Sequence, residues 1–363
     1  MTSHDEAPRS GRLARPDGVS VILTVLNEES HLEETLAAVL SQDWTGELQM
    51  VVALGPSTDR TDEIARELSA KDPRIELVSN PSGRTPDGLN AALAVVRYPV
   101  VVRVDGHCVL PADYLSLAVE TLQRTDADNV GGVMAAQGQT DFEHAVACAM
   151  TSPIGVGGAA FHTGGAEGPA LTVYLGSFKK STLDAIGGYD GSFLRAQDWE
   201  MNHRILQAGG KVWFNPEMQV TYRPRPNLKA LCKQYFHYGR WRREIMRTYG
   251  ETVSLRYLAP PVLVAGLIVT LLAALVLVLT GNGGWALLTL VPTVGYVLGA
   301  IVGGLVISHG ESFKTRVFTP LALMAMHLSW GVGFICSPRG LRKPSGSRPH
   351  AQNSENTEKE SYG

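Results

Sequence analysis

Val19-Ser20-Val21-Ile22-Leu23-Thr24-Val25-Leu26 is the stretch on which the fold turns. Nearly every position is aliphatic or β-branched, with no polar alternation. A strand with one wet face would alternate; a parallel strand covered by helices on both faces reads as an unbroken apolar run. Beyond it, Asn27 and Ser30 offer caps to a helix whose Leu32, Leu36, Val39 and Leu40 recur at helical spacing. The pattern then repeats. Residues 48–54 form a second strand, and Gly55-Pro56-Ser57 leads into a helix from about Thr61. Residues 75–78 form a third strand, residues 80–88 a loop before a helix from Leu89, and residues 100–104 a fourth strand. Strands alternating with helices imply right-handed crossovers and a doubly wound α/β sheet. Such sheets bind ligands beyond the C-terminal strand ends. Asn27, Glu28, Ser57, Asp59, Arg84 and Asp105 should therefore share one rim.

The rest of the chain is a different material. Of 363 residues 44% are hydrophobic and only 18% charged, below the quarter usual in soluble domains. The shortfall concentrates after Gly250. Residues 257–280 and 285–307 carry no charge, and each is long enough to cross a hydrocarbon core of about 30 Å. Gly281-Asn282-Gly283-Gly284 separates them, so they read as a transmembrane hairpin. A third run, residues 317–336, is interrupted by His327, Ser329, Gly331 and Gly333. Arg240, Arg242, Arg243 and Arg247 precede the first span, which places the catalytic part on the cytoplasmic face of an inner or plasma membrane. Three full crossings would then put Arg339, Arg342, Lys343 and Arg348 outside, against the same rule. Either the third run is re-entrant or interfacial, or the first helix overrides the tail. The expected organisation is a disordered N-terminus (residues 1–18) without a signal peptide, and a catalytic domain (19–225). An amphipathic interfacial segment (226–256), a membrane region (257–336) and a disordered tail (337–363) follow.

Charge and cysteine content exclude several classes. A net charge of -3 argues against a nucleic-acid binder, which needs a basic surplus. Cys108, Cys148, Cys232 and Cys336 form no CxxC pair, a poor basis for a disulfide framework or a zinc site. Gly155-Val156-Gly157-Gly158-Ala159-Ala160 fits a dinucleotide fingerprint only superficially, because no strand precedes it; a flexible loop is the expectation.

Three motifs carry chemistry. Asp105-Gly106-His107 ends the fourth strand, where residues two apart point to one side, so a carboxylate and an imidazole could face one divalent cation. The competing reading is a solvated turn. Gln197-Asp198-Trp199-Glu200 opens a helix, where the macrodipole favours an ionised carboxylate able to act as general base; plain N-terminal capping competes with that role. Gln234-Tyr235-Phe236-His237-Tyr238-Gly239-Arg240-Trp241 mixes aromatics and cations, which suits a membrane-surface helix. It equally suits a clamp in which Arg240 holds a diphosphate and Trp241 stacks on a sugar ring.

In this order the motifs resemble the family 2 glycosyltransferases, over about residues 19–241. The resemblance implies a GT-A (Rossmann-like) fold, inverting chemistry, a nucleotide-diphosphate sugar donor and a divalent metal, Mn2+ or Mg2+. Residues 21–29 look like the opening strand and nucleotide turn, with Thr24 where Pro is usual; Ser57-Thr58-Asp59 resembles the second nucleotide motif. Asp105 and His107 resemble the metal-binding DxD, with His in third place. Gly187-Gly188-Tyr189-Asp190 with Gln197-Asp198 resembles the acceptor loop and catalytic base, and His237 to Trp241 the QxxRW of membrane-bound synthases. The C-terminal segments look most like the succinoglycan-type branch of exopolysaccharide enzymes. Leu54 and Gly55 replace the acidic residues that normally read the base, which leaves UDP, GDP and TDP open. The expected acceptor is a lipid-linked sugar or a glycan at the membrane. A processive synthase, a polyprenyl-phosphate sugar synthase and a non-catalytic scaffold are the competing functions.

Overall fold

A computed structural model of the chain describes residues 16–342. The disorder expected of residues 1–15 and 343–363, and the placement of Lys343 and Arg348, lie outside the described residues. The first half alternates as the sequence implies: β1 (Gly18–Val25), α1 (Leu32–Leu40), β2 (Glu47–Leu54), α2 (Thr61–Lys71), β3 (Ile75–Ser79), α3 (Thr85–Leu93) and β4 (Val100–Arg103). The chain continues through α4 (Tyr114–Thr125), β5 (Asn129–Ala136), α5 (Asp141–Met150), α6 (Pro153–Val156), α7 (Ala160–Thr163), β6 (Gly168–Pro169), β7 (Tyr174–Lys179), α8 (Lys180–Ala185), α9 (Gln197–Gln207) and β8 (Val212–Tyr222). The final elements are α10 (Leu228–Thr248), α11 (Leu255–Leu279), α12 (Gly283–Thr289), α13 (Val291–Ile307) and α14 (Phe313–Ile335).

The eight strands form one sheet in the order β3-β2-β1-β4-β7-β5-β8-β6. β1 pairs in parallel with β2 and β4, and β2 with β3, which is the doubly wound half. β7 runs antiparallel between β4 and β5, so the sheet is mixed rather than uniformly parallel. Side-chain alternation sorts β4 cleanly. Val100 and Val102 enter the core under α1 and α4, whereas Val101 enters the core on the other face, beneath α3 and α9. Two local expectations change. α3 begins four residues before Leu89, because Pro86 fits a first helical turn. The loop expected at residues 155–160 is partly ordered into the short helices α6 and α7.

The apolar C-terminal helices also differ from expectation. α11 and α14 are each long and apolar enough to cross a membrane, while the second run is bent by 41° between α12 and α13. α11 leaves large side chains bare, Leu272 at 57% and Leu279 at 77% exposure. α14 instead lies along the catalytic body. Ser312 donates to Asp141 Oδ1 at 2.6 Å just before the helix starts. His327 Nε2 meets the Ile154 carbonyl at 2.9 Å in its middle. Arg243 of α10 donates to the Phe334 carbonyl at 3.0 Å at its end. Ala322, Leu323 and Met326 are buried with Val146 of α5 and Tyr235 of α10. Gly239 and Gly333 make this close approach feasible: a Cβ on either would strike the backbone of the other helix.

Candidate active site

The site grows from Arg103, the last residue of β4. It shares parity with Val101 and so points toward α9, and it is only 5% exposed. A buried guanidinium needs partners, and this one has two. It donates through Nη1 to Asp198 Oδ1 and through Nη2 to Asp105 Oδ1, the latter at 3.0 Å. Burial opposes its charge, but Asp198 and Asp105 outweigh burial and hold the group ionised well above its ordinary pKa. Tyr189 covers it, with the ring centroid 5.9 Å from the guanidinium carbon.

Asp198 lies in the first turn of α9, as expected, next to Ala196. Ala196 sits at φ +61°, a left-handed conformation that a Cβ disfavours, and such strain collects at functional sites. The helix N-terminus favours the ionised form, but the surroundings act against it. Burial pushes the Asp198 carboxyl above its ordinary value and Asp105 adds to the rise, while Arg103 only partly offsets them. Gln197 turns away and donates to the Leu194 carbonyl at 2.7 Å, bracing the loop before the base.

The rim predicted from the sheet is present, held by its own side chains. Asn27, at φ +58°, accepts from the Thr58 amide at 2.8 Å rather than capping α1, whose N-cap is His31. Ser57 Oγ accepts from the Asn27 amide, Asp59 from the Glu29 amide, and Thr61 Oγ1 from the Glu28 amide. Thr24 lies beneath at the end of β1, against Gly88 of α3. Arg84 does not join this lacing. It donates to the Gly191 carbonyl, pinning the loop that leads toward Asp198. Asn90 grips the same loop from both sides of Tyr189, at 2.8 Å to each backbone group.

Residues 105–108 are a turn closed by the Cys108 amide on the Asp105 carbonyl, so the extended-strand argument for pairing Asp105 with His107 does not apply. His107 instead meets Glu28 Oε1 through Nδ1 at 3.0 Å, and that contact raises its pKa. Among the described residues no three of His, Cys, Asp and Glu converge as a metal cage. Asp105 Oδ2 and His107 Nε2 accept or donate no hydrogen bond within the described residues. That donor pair suits an ion completing its shell with phosphate oxygens and water.

On the opposite wall, His237 and Arg240 lie on α10. Trp241 does not reach the cleft: it is 5% exposed, its ring centroid 6.1 Å from that of Phe193, in a cluster with Ile245. The sugar-stacking role for Trp241 is therefore withdrawn, and the residue is a support for the loop that carries Asp198.

The family model for glycosyl transferase family 2 matches residues 20–161. The chain is 32% identical over 317 residues to the succinoglycan biosynthesis protein ExoA of Rhizobium meliloti (strain 1021), covering 86% of this chain and 93% of that one. The chain belongs to glycosyltransferase family 2. A second relative of this glycosyltransferase, 24% identical over 61% of this chain and 71% of its own, comes from Methanococcus voltae. It is named dolichyl N-acetyl-alpha-D-glucosaminyl phosphate 3-beta-D-2,3-diacetamido-2,3-dideoxy-beta-D-glucuronosyltransferase. A solved mannosyltransferase, PcManGT from Pyrobaculum calidifontis in complex with GDP-Man and Mn2+, shares the GT-A fold. Its TM-score is 0.57 at 20% identity, covering 92% of this chain and 91% of that one.

Arg103, at the centre of the candidate site, is not among the residues expected from the sequence. Arg103 was readable as an anomaly, a charge inside Val100-Val101-Val102-Arg103-Val104, where only a paired ion is tolerated. Asn90 and Glu200 left no such signal. Glu200 is 1% exposed and pairs with Arg204, which in turn donates to the Ile186 and Gly188 carbonyls and shapes the Gly187-Gly188 turn.

Proposed function

We propose that this glycosyltransferase transfers a sugar, with inversion, from a nucleotide-diphosphate sugar to a hydroxyl of a lipid-linked or glycan acceptor. Transfer takes place at the cytoplasmic face of a membrane, in exopolysaccharide or cell-envelope glycan synthesis. The observation that carries the reading is the pair of carboxylates joined through buried Arg103. On this reading Asp105 serves the donor and Asp198 the acceptor, both ion-paired with Arg103. Asp198 accepts the acceptor's hydroxyl proton, and the resulting oxygen attacks the anomeric carbon opposite the departing diphosphate. Asn27, Glu28, Ser57 and Asp59 shape the nucleotide side. Arg84, through Gly191, fixes the loop that presents the base.

Asp105 and His107 would hold a divalent cation. Bound there, it would neutralise charge on the diphosphate leaving group. An imidazole in place of a second carboxylate lowers the site's negative charge and favours Mn2+ over Mg2+. Equal rates with both metals across their concentration ranges would count against that preference.

The contacts of α14 support a topology in which it does not cross the membrane. α11 and the bent pair α12–α13 form a two-way hairpin, tied at mid-depth by Thr270 and Thr293 at 2.9 Å. The chain after α13 meets Asp141 of the catalytic body at 2.6 Å, so α14 begins and ends on the catalytic side. On this reading Arg339 and Arg342 lie on the same side as the catalytic domain, in keeping with the positive-inside rule. A C-terminal reporter should be read from the same side as the catalytic domain.

The functional reading is tested by thermal shift of the full chain against a panel of nucleotide sugars with Mn2+. One donor at 100 times its Kd raises stability by about 2.7 kcal/mol and names base and sugar together. A flat response across the panel overturns the assignment.

A further inference from the structure

The loop that delivers Asp198 is held from two sides, and one of them comes from the far end of the chain. Residues 186–196 run between α8 and α9 without helix or strand. Gly187, Gly188 and Ala196 stand there in left-handed conformations, at φ +74°, +68° and +61°. Such a segment keeps one shape only where its surroundings over-determine it. On the sheet side Arg84 and Asn90 hold it. Within the loop Asp190 is the knot: its Oδ1 accepts from the Ser192 amide at 2.8 Å, and its carbonyl from the Phe193 amide at 3.1 Å.

The chain after α14 supplies the other side. A helix end leaves its last carbonyls without intrahelical partners, and here arginines of α10 answer them. Arg243 donates to the Phe334 carbonyl at 3.0 Å, and Arg247 to the Ser337 and Pro338 carbonyls at 3.0 and 2.7 Å. Ser337 Oγ donates in return to the Arg240 carbonyl at 2.9 Å. Gly340, at φ +79°, turns the chain, and Leu341 packs into the cluster of Phe193, Trp241 and Ile245. Arg342 then lands on the loop. Its Nε donates to Ser192 Oγ at 2.9 Å, and its Nη2 to Asp190 Oδ2 at 3.1 Å. Its guanidinium carbon lies 4.6 Å from the centroid of the Phe193 ring. A planar fork of this kind fixes direction as well as distance. Residues 337–342 are therefore a strap between the end of α14 and the loop. Among the described residues the strap makes no hydrogen bond to Asn27, Glu28, Ser57 or Asp59.

Resting on the reading of Asp198 as the base, we propose that Arg342 is a positioning residue for it. Arg342 acts through Asp190, Ser192 and Phe193, and the strap makes turnover depend on α14 being seated. Without the guanidinium, Asp190 Oδ2 and the Phe193 ring lose a partner, and the loop is held from the sheet side alone. Asp198 keeps its ion pair with Arg103, but its approach to the acceptor oxygen is no longer fixed. Misplacing a reacting group by an ångström can cost about 100-fold in rate.

The test compares the full chain with Arg342→Ala and Arg342→Lys in lipid nanodiscs. Turnover is read as release of nucleoside diphosphate from the nucleotide sugar that the thermal-shift panel selects, with water in the acceptor's place. Arg342→Ala should lower kcat by about tenfold or more while donor affinity stays unchanged. Arg342→Lys keeps the charge without the fork and should recover only part of the loss. Ethylguanidinium should restore turnover to Arg342→Ala and not to Asp198→Asn. In hydrogen exchange, residues 187–196 should lose protection in Arg342→Ala while β1 to β4 keep theirs. An unchanged kcat, or a loss that ethylguanidinium does not rescue, overturns the proposal. A parallel loss of donor affinity overturns it by making Arg342 a general support of the fold. A rise in kcat overturns it by making the strap a plug over the loop. Failure of the functional reading looks different: wild type then binds no nucleotide sugar, while exchange in the loop still shows whether the strap holds it.

Discussion

The two halves that the proposed function assigns to donor and acceptor are built differently. The donor half, β1 to β4 with α1 to α3, is assembled from consecutive segments, and its rim is laced by side chains only 30 or so positions apart, as in Asn27 with Thr58. The acceptor half draws on pieces from across the chain. Asp198 is anchored by Arg103, and the loop before it is held by Arg84 and Asn90 on one side and by Arg342 on the other. Arg342 contacts Ser192 at 2.9 Å and Asp190 at 3.1 Å. The first half is thus held together by its own segments, whereas the half around Asp198 leans on α10, α14 and the segment after α14. Arg103 is where the two halves meet.

Separating the halves gives the largest expected effect. Asp198→Asn keeps the shape of the base but removes its proton affinity. kcat should fall by about 10^3-fold, within the range for loss of a general base, while donor affinity stays near wild type. Asp105→Ala should instead weaken donor affinity and transfer together. Matching profiles for the two variants would erase the distinction.

Arg103 tests the junction. Its removal leaves two half-buried carboxylates unpaired beside a cavity, and Arg103→Ala should cost about 1–3 kcal/mol of stability. Arg103→Lys keeps the charge and isolates the catalytic effect. Asp198 must be ionised to accept a proton, so kcat falls as pH drops through its pKa. Burial already lifts that pKa above the ordinary carboxylate value, and weaker compensation in Arg103→Lys should move the acid limb of kcat to still higher pH. An unmoved limb would show that Arg103 does not govern the base.

Smaller effects probe the borrowed parts of the acceptor half. Gly333→Val should push α14 from α10 and lower stability by about 1–3 kcal/mol, a typical overpacking cost. Transfer should suffer more than donor affinity. Thr140→Ala removes the capping box that starts α5, where Thr140 and Glu143 bond reciprocally, and should cost about 1 kcal/mol in chemical denaturation with both affinities intact.

The same division explains what the sequence disclosed. β1 to β4 and the shared rim were legible because parallel buried strands are apolar without interruption, and because local crossovers follow from strand–helix alternation. Asp198 in the first turn of α9 was legible from its position alone. The mixed pairing of β7 was not, since strand order beyond β4 depends on contacts between distant segments. The upward pull on the Asp198 pKa was not legible, because the helix macrodipole is visible in sequence and the surroundings of the carboxyl are not. Trp241 was misread for the same reason: an aromatic beside an arginine looks like a ligand platform until Phe193 is found on its face. α14 is the most instructive case. The Gly331, Gly333 and His327 that weakened it as a membrane span are its close contacts: Gly333 lies against Phe236 of α10 and His327 against Ile154, while Gly331 lies against Pro260 of α11. Hydropathy marks both α11 and α14 as candidates to cross, but only α14 makes extensive contacts with α5 and α10.

The central claim is a single displacement, with Asp198 as base and no covalent sugar intermediate. The most direct measurement is the anomeric configuration of the product, read by the proton NMR coupling of the transferred sugar under initial-rate conditions. The account predicts inversion relative to the nucleotide-linked donor. Retention would contradict it, because the sugar would then have been displaced twice or have left from the face it was attacked on.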